Sequence, residues 1–295
     1  MLLKAMVPRA VAGGRGRRGD LALLVVPLGL FGAFFLLPNL LNFGYAFTGW
    51  SAFRTAIEFA GLDNFRDLAG DGTLWADLRR TVVYAAVVTL AQNVVGLLLA
   101  LGLERPTRGN RVLRVLLFLP VLLAPLAVGY VFQAVLAYDG LLNRLLGTRV
   151  EWLGSVDWTL GVVALVHAWK WAGLTVLIYI AGLAAVPREI LQAARIDGAS
   201  AWQAFRHVTF RLLAPAVTVN VTLTLIGALN TFDIVLATTR GGPGRATEVL
   251  NVYVFQQFGT GAFGQATAMS LVLFLTVAVV AVPLVVYLRR REVSW

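Results

Sequence analysis

The residues whose types and spacing suggest chemistry lie between positions 185 and 211. There Ala185-Val186-Pro187-Arg188-Glu189-Ile190-Leu191-Gln192-Ala193-Ala194-Arg195-Ile196-Asp197-Gly198 runs into Ala199-Ser200-Ala201-Trp202-Gln203-Ala204-Phe205-Arg206-His207. Pro187 suits the first position of a helix, and residues 188–196 are strong helix formers. Gly198 ends that helix in a turn, and Ser200 caps a second short helix through about His207. Ile190, Ala193, Ala194 and Asp197 recur at helical spacing and form one face with small residues at its middle. Two readings follow. Small residues ringed by arginine suit a helix that docks into a partner's groove. Alternatively, Trp202, Phe205 and the arginines hold an amphipathic segment on lipid headgroups. Binding of DNA is disfavoured for such a motif, because the apolar stretches on either side keep it at a bilayer.

Polar residues inside apolar stretches are the second candidate set, since they are costly in lipid and usually face a bundle interior. Lys170 sits between Trp169 and Trp171. It suits a pathway residue that bonds a hydroxyl or anion while the aromatics stack on a sugar face. It equally suits an internal pair with Asp233, or a snorkelling side chain. Asn220, Thr224, Gly227 and Thr231 share one helix face near the midplane, where transporter sites often lie. Interhelical hydrogen bonding is the competing explanation. Trp171 and Leu174 join Lys170 in the candidate pathway, while Gln92, Asn93 and His167 read as internal hydrogen-bonding groups.

Several chemistries are excluded. The only two lysines, Lys4 and Lys170, follow Leu3 and Trp169, so no phosphate-binding Gly-Lys-Ser/Thr loop exists. There is no His-Glu-x-x-His, no Gly-x-Ser-x-Gly elbow and no cysteine, and the two histidines leave little room for a metal site. The chain is expected to be no enzyme and to bind no cofactor itself.

The elements that must position these residues follow from composition. Of 295 residues 59% are hydrophobic and 14% charged, with mean hydropathy +0.78, against roughly a quarter charged in a soluble domain. A helix needs roughly 20 apolar residues to cross a bilayer. Uncharged stretches place six spans near 21–43, 81–103, 113–136, 159–183, 212–236 and 267–288. The basic residues sort by side: sixteen of the 25 lie at the N-terminus, in loops two and four and in the tail, and eight lie opposite. That bias places both termini in the cytoplasm, and it accounts for the net charge of +10 without nucleic acid. The chain therefore divides into a basic segment 1–20, a six-span domain 21–291 holding the cytoplasmic loop 187–211, and a tail 292–295. The first span is too long for a cleaved leader and reads as a retained helix. The loop 44–80 is a candidate docking surface, and Gly241-Gly242-Pro243-Gly244 is a forced turn.

With these residues in view, Gln192–Pro215 resembles the coupling loop of ABC importer permeases, the Glu-Ala-Ala…Gly motif. Ala193-Ala194, Asp197-Gly198-Ala199, Phe205, Val208 and Pro215 carry the match. Gly61-Leu62-Asp63-Asn64-Phe65, Ala181-Gly182-Leu183 with Pro187, Phe232-Asp233 and Gly241-Gly242-Pro243 are similar to the sugar-permease branch, so the resemblance covers roughly residues 20–291. It implies an all-α, type I importer fold with a coupling helix between spans four and five, in a bacterial inner membrane. It also implies a second related permease, two ATPase subunits that use ATP and Mg, an extracytoplasmic binding protein and a carbohydrate cargo; the alternatives are a polyol phosphate or another polar anion as cargo, or, from a different class, a membrane scaffold that transports nothing. Coupling would fall to Glu189, Gln192, Ala193, Ala194, Asp197, Gly198, Ala199 and Phe205. Two positions depart from the pattern. Gln192 replaces the family's leading Glu, with Glu189 on the same side as a substitute, and Phe210-Arg211 replaces Leu-Pro.

Overall fold

The computed structural model describes residues 17–292, and side chains from Leu24 onward. Most of segment 1–20 and the last three residues of the tail lie outside the described residues. The chain forms two units, 1–44 and 45–295. In the first, α1 (Arg17–Phe31) passes through a π-helical turn, Gly32–Leu36, into α2 (Leu37–Tyr45). The turn ends two residues before Pro38, which cannot donate to the carbonyl one turn back.

The second unit begins with a short bridge between Thr48 and Phe59 and with α3 (Asp63–Gly70). It continues through α4 (Thr73–Leu103), α5 (Arg108–Leu122), α6 (Pro125–Val135), α7 (Leu141–Leu146) and α8 (Thr159–Ala184). Beyond α8 come α9 (Arg188–Ile196), α10 (Ala201–Ala204), α11 (Phe210–Leu212), α12 (Ala214–Leu229), α13 (Asp233–Thr238), α14 (Leu250–Thr260) and α15 (Phe263–Arg289).

Four helices are long and apolar enough to cross a membrane: Leu24–Tyr45, Thr73–Leu103, Thr159–Ala185 and Phe263–Arg289. Two bent pairs meet the same test, α5 with α6 at 99° and Ala201–Leu212 with α12 at 67°. Counting each pair once gives the six expected crossings, but two of those spans are not the continuous helices that charge counting predicts. Span 113–136 breaks at Leu123–Ala124. Pro125 forces Ala124 out of the helical region, to ψ 133°. Span 212–236 stops at Leu229 and restarts at Asp233. There Asn230 folds its amide onto Ile226 O at 2.8 Å, competing with the helix ladder.

With no hydrophobic drive between helices in lipid, close packing through small residues must hold them together. α4 meets α8 at Gly96, where a Cβ would stand 2.5 Å from Thr175 Cγ2. α5 meets α8 at Gly173, whose missing side chain is replaced by the Leu117 carbonyl. The main core gathers Tyr84, Val88, Val128, Val163, Leu229 and Val235 from α4, α6, α8, α12 and α13. The Gly-Leu-Asp-Asn-Phe segment acquires a role here: buried Asn64 donates to both Ala46 O and Thr48 O at 2.9 Å, fixing the chain that leads into the bundle.

Candidate functional site

Along α8, His167, Trp171, Leu174, Thr175 and Ile178 recur at helical spacing and share one face. On α12, Asn220, Leu223, Thr224 and Gly227 do the same. Gln92 of α4 closes the gap between these faces, and together they line a cavity of about 200 Å³. Five pathway candidates meet in this cavity: Trp171, Leu174, Asn220, Thr224 and Gly227. A Cβ on Gly227 would touch nothing within 4 Å, so the wall is open there.

The walls are tied by hydrogen bonds between helices. Gln92 Nε2 donates to Thr175 Oγ1 at 2.8 Å, and Asn220 Nδ2 to Thr175 O at 3.3 Å. Asn93 donates to Thr224 Oγ1 at 2.9 Å and accepts from the Tyr179 hydroxyl at 2.7 Å. One acceptor is left over: buried Gln92 Oε1 has no hydrogen-bond partner among the described residues. The lining holds no acidic or basic side chain other than His167.

Lys170 and Thr231 are not in this lining. Adjacent helix residues point about 100° apart, and Lys170 lies outside the lining while its ammonium packs against the Trp171 ring. It is 0% exposed, with Nζ 3.7 Å from the centre of the Trp171 ring and donating to Val121 O at 3.5 Å. Thr231 lies beyond the end of α12 and off its helical face. Its hydroxyl sits 3.4 Å from both the Tyr84 hydroxyl and His167 Nδ1, which are themselves 3.1 Å apart.

The 185–211 segment forms as its caps dictate, with one shift: Pro187 is the N-cap, and α9 starts at Arg188. Gly198 has φ +79°, and the turn closes through Ala199 N to Ala194 O at 3.0 Å and Gly198 N to Arg195 O at 3.1 Å, a Schellman motif. Ser200 and Gln203 make a reciprocal capping box. The second helix does not end near His207. It continues through a π-helical turn, Phe205–Thr209, into α11. On α9, Glu189, Gln192, Ala193 and Asp197 are exposed and Ala194 half-buried. Ile196 is 86% exposed. Phe205 is half-buried between Trp202 and Phe210, with ring centres 5.7 and 6.1 Å away.

Sequence reasoning missed a charged cluster at the opposite end of α4. Asp77 is fully buried, 2.7 Å from Arg80 and 3.8 Å from Arg245, and Arg245 reaches Glu248 at 2.5 Å. The hydrogen bonds that Arg245 donates to the Glu248 carboxylate hold its guanidinium above its ordinary pKa. Residue type and spacing single out neither Asp77 nor Arg245, because the two lie far apart in the chain. Arg245 adopts φ +66° in the turn after Gly241-Gly242-Pro243, which swings its side chain back onto α4.

A bundle of membrane-crossing helices, broken twice, lining a largely apolar cavity with a few convergent polar groups and presenting a short exposed helix pair, defines a multi-pass membrane protein. The chain belongs to the family of binding-protein-dependent transport system inner membrane components, whose model matches residues 92–291, and it is a transport subunit rather than an enzyme. It is 32% identical over 264 residues to the probable starch degradation products transport system permease protein AmyD of Thermoanaerobacterium thermosulfurigenes, covering 88% of this chain and 90% of that one. It is 30% identical over 265 residues to the multiple sugar-binding transport system permease protein MsmF of Streptococcus mutans, covering 88% and 91%. It is 30% identical over 249 residues to the trehalose/maltose transport system permease protein MalF of Thermococcus litoralis, covering 83% and 84%. The fold matches a chain of a bacterial ABC transporter involved in the import of the acidic polysaccharide alginate, with TM-score 0.78 and 21% identity over 94% of this chain and 97% of that one.

Proposed function

We propose that this chain is one of two related permeases of an ATP-driven importer for a neutral carbohydrate, with both termini in the cytoplasm. An extracytoplasmic binding protein delivers the sugar, and two ATPase subunits, using ATP and Mg, grip α9 from the cytoplasmic side. The observation that carries the substrate reading is the cavity between α8 and α12. It combines the Trp171 ring with amide and hydroxyl groups of Gln92, Asn220 and Thr224, and Lys170 is not in its lining. Apolar walls with a few convergent polar groups suit a small polar ligand. The unpartnered Gln92 Oε1 would accept a sugar hydroxyl. An anionic cargo loses its main support, because the cation that motivated it is turned toward Val121 O. The names of AmyD, MsmF and MalF, which refer to starch degradation products, multiple sugars and trehalose/maltose, support the same class.

Coupling is assigned to Glu189, Gln192, Ala193, Ala194, Asp197, Gly198, Ala199 and Phe205. The small-residue face of α9 is solvent-exposed and makes no ion pair among the described residues. A partner that binds α9 differently in two conformations transmits work to α12 through the continuous α10–α11 rod.

Uptake of labelled neutral sugars by the assembled transporter, with Trp171→Ala and Asn220→Ala, tests the cavity. A loss of uptake with subunit assembly intact is expected. Full uptake by both variants would remove the cavity from the pathway.

A further inference from the structure

The elbow between α11 and α12 holds a second cavity, of about 810 Å³, which the transport reading touches only at Phe205. Its floor is apolar: Phe210, Ala214, Val217 and Leu288. Its rim carries three guanidiniums, Arg206, Arg211 and Arg291, with Trp202 beside them. All three arginines are exposed, and none makes an ion pair among the described residues. Arg291 stacks on Tyr287 at 4.5 Å. No acidic residue lines the cavity. Phe210-Arg211 is also where the sequence departs from the family's Leu-Pro.

The position of this cavity narrows the occupant. Ala214 and Val217 belong to the first turn of α12 and Leu288 to the last turn of α15, so the cavity lies at one end of the bundle. That is the end where apolar helix gives way to basic chain. A soluble anion would meet an apolar floor, and an apolar chain alone would leave three cations unmatched. A molecule with a phosphate at one end and hydrocarbon at the other matches both surfaces. Guanidinium forks fit phosphate oxygens, and basic pockets between helices at the cytoplasmic face take anionic headgroups.

We infer that the elbow binds one anionic phospholipid, its phosphate among Arg206, Arg211 and Arg291 and an acyl chain along Phe210, Ala214, Val217 and Leu288. The lipid wedges the 67° bend between the exposed rod and α12. The inference uses the cytoplasmic orientation proposed above, but its test does not depend on transport, so either can fail alone.

The full-length protein is placed in phosphatidylcholine vesicles containing a minor fraction of phosphatidylglycerol, with brominated chains on one lipid or the other. The Trp202 contribution to fluorescence is obtained by difference from Trp202→Phe. Bromines on phosphatidylglycerol are expected to quench Trp202 as though that lipid were enriched at the site about fivefold or more, the usual strength of one basic contact at an anionic surface. In Arg206→Gln/Arg211→Gln/Arg291→Gln the enrichment is expected to fall to about onefold, with the remaining tryptophans unchanged. Equal quenching by the two lipids, or a preference that survives the triple substitution, overturns the proposal. Loss of the preference on adding millimolar inorganic phosphate at constant ionic strength also overturns it, since the site would then take a soluble anion.

Discussion

Thr175 is held to α4 from two sides: Gln92 donates to its hydroxyl at 2.8 Å, and Gly96, one turn further along α4, leaves its methyl group only the space of a missing side chain. The same contact sets the helix spacing and forms one edge of the cavity.

Gly96 therefore tolerates no side chain. A Cβ there would stand 2.5 Å from Thr175 Cγ2, whereas at Gly102, on the same helix, it meets nothing within 4 Å. Gly96→Leu is expected to cost about 1–3 kcal/mol by overpacking and to spread α4 from α8. Thermal melting of the purified protein should fall for Gly96→Leu and stay level for Gly102→Leu. Equal melting of the two variants would show that the contact is slack.

Gly198 is required for its backbone rather than for space. Its φ is +79°, and a Cβ added there would meet nothing within 4 Å. Gly198→Ala is expected to strain the α9 turn by roughly 1–2 kcal/mol, and Gly198→Asn by less, since Asn visits this region more readily. Measured on the assembled transporter, binding-protein-stimulated ATP hydrolysis should fall in the order Gly, Asn, Ala. Ala193→Glu, which puts a charge on the small-residue face, should lower it further at an unchanged amount of protein in the membrane. Full stimulation in every variant would detach α9 from the ATPase.

Arg245 is the shared partner of two buried carboxylates, Asp77 and Glu248. Removing it leaves both under-paired; because the Arg245 side chain is 48% exposed, solvent screens the loss to below the roughly 3–5 kcal/mol of a fully buried pair. Arg245→Met should lower the melting temperature sharply. Adding Glu248→Gln should restore part of the loss, because only one carboxylate then needs a cation, and Arg80 already serves Asp77 at 2.7 Å. A double variant no more stable than the single one would locate the role of Arg245 elsewhere.

The sequence made the long helices legible because lipid tolerates no charge in mid-span, so gaps between charges locate them. It misplaced their edges where charge is satisfied inside protein. α4 starts at Thr73, not near residue 81, because Asp77 and Arg80 pair with each other and with Arg245. The breaks were harder to read, although Pro120 and Pro125 marked the first. Spacing along α12 found Asn220, Thr224 and Gly227 but extended the pattern to Thr231, past the helix end. The 185–211 segment was the most legible part, because caps and turns are local chemistry. The Asp77 cluster was not, because residues far apart in the chain meet there only after folding.

Lys170 holds a bend in place. In a continuous helix Val121 O would accept from the residue four positions on, which is Pro125 and has no N–H. Lys170 Nζ supplies a donor to that carbonyl from α8, at 3.5 Å. Lys170→Met leaves that part-buried carbonyl without the donor, at a cost of at most about 1–3 kcal/mol, while Lys170→Gln keeps a shorter donor and should lose less. If the role is structural, both variants melt earlier but keep the wild-type ratio of neutral to anionic sugar uptake. If Lys170 reads the cargo instead, Lys170→Met abolishes uptake of anionic substrates at an unchanged melting temperature, and the neutral-carbohydrate assignment falls with it.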